Sequence, residues 1–150
     1  MIDVKEVRIG NLLNYTNEQD WTHVVEVIKI AKDFIYAEGD EIYPPLKCEC
    51  YNPILITPEI LVKCGFVEKK EYRDHYFINE SIKANALHVS AFCIMAAGDE
   101  YHYAEYMYNA GIGDNEYATL DYFQPLKYLH QLQNFVFFMT GQELEIKLSI

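Results

Sequence analysis

A chain of 150 residues with 51% hydrophobic and 23% charged side chains is long enough to bury a core and too apolar to stay disordered. Twelve Lys and Arg against 23 Asp and Glu leave a formal net charge of −11, a field that repels phosphate backbones and speaks against a general nucleic-acid binder. No run approaches the roughly 20 apolar residues that span a bilayer, and Met1–Gly10 has no hydrophobic signal core, so the expectation is a soluble, cytoplasmic protein with no membrane and no direct nucleic-acid partner.

The first third of the chain reads as short strands joined by polar turns. Val7 and Ile9, then Leu12 and Leu13, flank Gly10, where a strand can bend. Tyr15 leads into Thr16-Asn17-Glu18-Gln19-Asp20, a run of turn formers that predicts a loop tip. Trp21 to Ile30 offers Val25 and Val27 and then, after a shift of phase, Ile28 and Ile30; a further strand follows at Phe34-Ile35-Tyr36-Ala37. Pro44-Pro45 interrupts regular structure, and Pro53-Ile54-Leu55-Ile56 reads as another short apolar strand. This series predicts a small curled sheet of the SH3-like barrel kind over residues 1–56.

Four cysteines, Cys48, Cys50, Cys64 and Cys93, are too few for a disulfide framework. The C-x-C pair Cys48 and Cys50 has a spacing that begins some zinc sites, but no second pair with ligand spacing follows. Two structural thiols in an extended segment is the simpler reading, and no metal and no cofactor is expected.

A second, α+β module is predicted over 57–150, the whole forming an α+β fold. Thr57-Pro58-Glu59 is a helix start: the threonine hydroxyl accepts a free backbone N–H, proline is preorganised for the first turn and glutamate suits the positive end. Gly65 is the matching stop, with Ile60, Leu61 and Cys64 on one face and Phe66 packing back. Beyond this short linking helix the chain is strand-like again. Glu68-Lys69-Lys70-Glu71 reads as a solvated strand end, Tyr72-Arg73-Asp74 as a turn and His75-Tyr76-Phe77-Ile78 as a strand, with a polar break from Asn79 to Asn85. Leu87–Ala97 and Tyr101–Tyr108 flank Gly98-Asp99, a short-range hairpin signal. Asn109–Tyr122 reads as a long loop.

The hairpin carries the densest polar chemistry. Asp99, Glu100, His102 and Glu105 cluster there, and a carboxylate and a histidine two apart on a strand share a face, so Glu100 with His102 can be drawn as an acid and base pair of a small hydrolase or metal-dependent enzyme. Acidic residues at an exposed turn explain the same letters without a third group or a pocket. His88 and Ser90 have similar spacing but no orienting carboxylate beside them. Gly111-Ile112-Gly113-Asp114-Asn115 lacks the lysine and following helix of a phosphate loop and reads as a tight turn. Thirteen tyrosines weigh more: Tyr101, Tyr103, Tyr106 and Tyr108, with Asp99, Glu100 and His102, make an acidic, phenolic surface of the type that binds protein, against the plainer reading of cross-strand aromatic packing.

The last stretch changes period at a glycine. Leu129, Leu132, Val136 and Met139 have helical spacing, widened by Tyr128, Phe135 and Phe138; Gly141 stops the helix; Leu144, Ile146, Leu148 and Ile150 then alternate with polar residues as a strand does. His130, Gln131, Gln133 and Asn134 are read as the polar side of that helix, satisfying backbone groups where it crosses a sheet rather than forming a recognition surface.

Tyr128-Leu129-His130-Gln131-Leu132-Gln133-Asn134-Phe135, followed by Thr140-Gly141-Gln142-Glu143-Leu144-Glu145-Ile146, resembles a group of small uncharacterised proteins of gut bacteria, their prophages and mobile elements. Arg8-Ile9-Gly10-Asn11-Leu12 and Leu55-Ile56-Thr57-Pro58-Glu59-Ile60-Leu61 with Gly65-Phe66 are similar to the same group, while Glu71–Phe123 is not. The resemblance implies a phage or mobile-element context and transfers no catalytic residue. The sequence reading is thus a non-enzymatic accessory protein binding a protein partner, with a nucleic-acid-binding host protein as one candidate and self-association into a homo-oligomer as another.

Overall fold

The computed structural model describes residues 2–32, 34–38, 45–71, 74–79, 81–82, 89–97, 100–107 and 125–147. The fold is mixed α/β with a barrel-like antiparallel sheet and a C-terminal helix. Two compact units divide the chain: Met1–Leu55 with Tyr128–Asn134, and Ile56–Lys127 with Phe135–Lys147.

In the first unit, β1 (Leu12–Thr16), β2 (Thr22–Ala31), β3 (Phe34–Glu38), β4 (Leu46–Lys47) and β5 (Tyr51–Asn52) form one sheet in the order β4-β3-β2-β1-β5. Between β1 and β2 the turn formers close the hairpin: the Asn17 side chain accepts the amides of Gln19 and Trp21, each at 3.0 Å, and Asp20 takes a left-handed φ of 60°. The phase shift in β2 is a bulge. Its pairing with β3 slips between Val27 and Lys29, so the strand bends and serves β1 with its first half and β3 with its second. Gly10 stands beside this bend, its N–H bonded to Val27 O at 2.8 Å with φ 88°. Alternation then puts Leu13, Val25, Val27, Ile35, Ala37 and Tyr51 in a core that Ile2 and Val7 complete.

Three expectations for this stretch need correction. The strand expected to bend at Gly10 begins only at Leu12: Ile9 and Gly10 form a turn, and before it comes a 3-10 turn, Val4–Glu6, capped by Asp3, whose carboxylate accepts the Lys5 amide. Cys48–Cys50 is also a 3-10 turn rather than an extended segment. Pro53–Ile56 forms no strand: Pro53 has no N–H to give a ladder, the pairing falls on Tyr51–Asn52 instead, and Leu55 keeps one isolated bridge, to Tyr128.

In the second unit, α1 (Pro58–Lys63) begins on Thr57, whose hydroxyl accepts the Ile60 amide at 3.3 Å. It ends in a two-bond lock, Phe66 N–H to Leu61 O and Gly65 N–H to Val62 O, both 3.0 Å, made possible by a φ of +80° at Gly65. Leu61, Cys64 and Phe66 are buried by it. The sheet that follows runs β6-β7-β8-β9, all antiparallel, from β6 (Val67–Glu71), β7 (Asp74–Asn79), β8 (Val89–Ala97) and β9 (Glu100–Met107). Phe77 and Ile94 pair across β7 and β8 and are fully buried.

The C-terminal helix α2 (Leu129–Thr140) stops at Gly141, φ 70°, whose N–H reaches Phe137 O at 2.8 Å. Leu129, Leu132 and Val136 are buried, but Phe138 is 83% exposed. It lies nine residues, about two and a half turns, past Leu129 and so on the opposite side. Of the predicted terminal strand, Leu148 and Ile150 lie outside the described residues; residues 142–147 join no ladder among the described residues, and Lys147 N–H bonds Lys63 O at 2.9 Å. Leu144 is buried and Glu143, Glu145 and Lys147 are exposed, so the alternation reports burial without strand pairing.

Candidate functional site

The hairpin singled out by the sequence is present. Ala97 pairs with Glu100 across a two-residue connection, and the register continues Ala96 with Tyr101, Met95 with His102, Ile94 with Tyr103, Phe92 with Glu105 and Ala91 with Tyr106. Gly98, Asp99 and Tyr108 lie outside the described residues, as do His88 and the Gly111–Asn115 turn. Glu100 and His102 hold alternate positions of β9. Ser90 falls where the β8 register shifts.

Tyr101 is the member of this set whose surroundings are defined. It is half-buried, its ring meets Phe77 edge-on at 6.3 Å, and its carbonyl accepts the Leu126 amide at 2.7 Å. Burial pushes its phenol up, and the negative charge of Glu59 adds to the shift. Tyr101 thus anchors the start of β9 and is a neutral hydrogen-bonding group at physiological pH.

A second polar constellation lies in the first unit, and it is the one that the sequence reading misplaced. Gln133 comes four residues after Leu129 and three before Val136, which puts it on the same face as both rather than opposite. It is buried, and both ends of its amide are engaged: Oε1 accepts Leu12 N–H at 3.0 Å and Nε2 donates to Gly10 O at 3.0 Å. Asn134 donates to Glu6 O at 2.7 Å and accepts from the Asn11 amide group at 2.9 Å, while Asn11 Oδ1 takes the Arg8 amide. Gln131 reaches back to Tyr128 N–H at 3.1 Å, half of a capping box. These amides satisfy backbone groups, as expected of them.

His130 behaves differently. Its ring is 1% exposed and stacks on Tyr128 at 5.8 Å with 10° between planes, yet neither ring nitrogen has a hydrogen-bond partner among the described residues. The Glu6 carboxylate is 3.8 Å from Nε2, an ion-pair distance longer than a hydrogen bond. Burial holds the imidazole below its ordinary value, against the opposing pull of Glu6.

Cys48 and Cys64 show no sign of activation. Burial and then Asp3 raise the Cys48 thiol, which donates to Ile2 O at 3.2 Å, and burial pushes Cys64 up to about 12. Among the described residues no group of three or more His, Cys, Asp and Glu is placed to hold a metal ion. No described helix is long and apolar enough to cross a membrane. Compared with protein-family models, with curated proteins and with solved structures, the chain matches none.

Proposed function

We propose that the chain is a non-enzymatic accessory protein that binds a protein partner along β9, the acidic, tyrosine-bearing arm of the hairpin. The observation that carries this reading is position: among the described residues β9 is an outermost strand of its sheet, and its sequence holds Tyr101, Tyr103 and Tyr106 together with Glu100 and Glu105. An outermost strand directs a row of main-chain N–H and C=O groups away from its sheet, a template for an added strand. Leu126 pairs with Tyr101 at the start of that edge; among the described residues the stretch from His102 to Met107 pairs with β8 alone. Tyrosine adds contact area with a polar end at small entropic cost.

A net charge of −11 favours a basic partner. In a phage or mobile-element setting a nucleic-acid-binding host protein fits, since a carboxylate array imitates phosphates. The first unit accords with an SH3-like barrel, supported by the bent β2 shared between β1 and β3.

Affinity capture from host lysate, at low and at high salt, tests the assignment with the wild-type chain beside a Glu100→Lys, Tyr103→Ala, Glu105→Lys, Tyr106→Ala variant. A partner held by the wild type at low salt, shed at high salt and missed by the variant is expected. Capture that ignores both salt and substitution removes the assignment to β9.

A further inference from the structure

His130 is an exception to the rule that a buried polar side chain finds partners. Its neighbours on α2, Gln133 and Asn134, hold the main chain of the segment from Glu6 to Leu12 through Gly10 O, Leu12 N–H and Glu6 O. Arg8, in the same segment, reaches Gln133 O at 3.4 Å. Glu6 faces the ring from the 3-10 turn and Tyr128 stacks on it from the residue before the helix. The neutral ring leaves one N–H without a partner. The protonated ring would leave two donors and a charge inside a site that water does not reach, with a single carboxylate at 3.8 Å to offset them.

We propose that His130 is the pin of an acid-sensitive clasp: protonating its buried imidazole raises the population in which the Glu6–Leu12 segment has left the first half of α2. The release is local. Val7 remains an anchor of the same segment in the barrel core, and the bonds Gly10 N–H to Val27 O and Val27 N–H to Asn11 O still tie it to β2, so acid shifts an opening equilibrium and does not unfold the unit outright.

The sign follows from linkage. The closed form binds a proton on His130 more weakly than the open form, because burial outweighs Glu6. The open form therefore takes up the proton first as pH falls below the ordinary histidine value of 6.5, and closure weakens from there down to the pKa of the closed form. Above 6.5 the clasp is at full strength.

Amide hydrogen exchange, expressed as protection relative to the unfolded chain, reads the opening directly at Leu12, whose N–H bonds Gln133 Oε1. Protection there should fall on acidification from about pH 7 to about pH 5, by up to about tenfold per unit within the window. His130→Phe keeps a ring to stack on Tyr128 and cannot titrate; its protection should stay level over the same range. A wild type that stays level, or a His130→Phe chain that falls in parallel, overturns the clasp. Should that variant not fold, proton NMR titration of the His130 ring in the wild type decides: a pKa below 6.5 supports the clasp and a value at or above it refutes it.

Discussion

Asn79 closes the end of β7 with three hydrogen bonds from one side chain. Its Nδ2 donates to Cys64 O at 2.9 Å, and its Oδ1 accepts from Ser81 N at 3.0 Å and Ser81 Oγ at 2.6 Å. The two sides are unequal. Ser81 is exposed, so water replaces its lost acceptor, whereas Cys64 is 2% exposed and its carbonyl would be left bare. Asn79→Ala should therefore cost about 1–3 kcal/mol, the toll of one orphaned buried group. Asn79→Asp should cost at least as much although it keeps the bonds to Ser81, because it sets a carboxylate against the same carbonyl. Urea denaturation of the two variants checks the order, and an aspartate variant more stable than the alanine one would show that the Ser81 bonds dominate. The sequence hides this residue: Asn79 reads as the start of a polar break, and its partner lies fifteen positions upstream. Gln133 was concealed in another way, since a polar letter was assigned to the wet side of α2 when its spacing from Leu129 and Val136 already placed it inward.

At the level of the element, α1 shows why some pieces of the fold can be read from the chain and others cannot. Its start and stop are local devices: Thr57 caps it, Pro58 opens it, and Gly65 and Phe66 lock its end, all within ten residues. A six-residue helix has little propensity to draw on, so the cap should matter. Thr57→Ala should cost about 1 kcal/mol and Thr57→Ser much less, since serine keeps the acceptor. Chemical denaturation of both separates loss of the hydroxyl from loss of the methyl group. The hairpins β1–β2 and β8–β9 were legible for the same reason, through Asn17 and the Gly98-Asp99 pair. Residues 142–147 were not. Alternation records which side chains are buried, and Leu144 is, but a strand also needs an unpaired edge at its own main chain, which no local pattern encodes. Pro53–Ile56 failed likewise: four apolar or proline letters in a row mark burial of Ile54 and Ile56, while the ladder sits at Tyr51–Asn52.

Across the whole molecule, strand order is the least local property, and the closing pair β1–β5 joins residues nearly forty apart, about which composition says nothing. Charge, by contrast, is fixed by composition alone. Twenty-three carboxylates against twelve Lys and Arg mean that nearly half of the acidic groups have no cation to meet, and folding draws them closer together. The ion pair between Lys47 and Glu49, at 3.7 Å with both side chains more than half exposed, returns little of that cost. Added salt screens repulsion over about 8–10 Å, the scale of spacing between surface charges, and leaves the apolar cores untouched. Raising sodium chloride from a few millimolar to physiological strength at neutral pH should therefore raise the melting temperature, each 1 kcal/mol gained appearing as roughly 2–4 °C for a chain of this size. Scanning calorimetry in the two buffers measures it. A melting temperature that falls with salt would mean that attractive pairs outweigh the excess of carboxylates, and would leave the acidic surface less able to draw in a basic partner than its net charge implies.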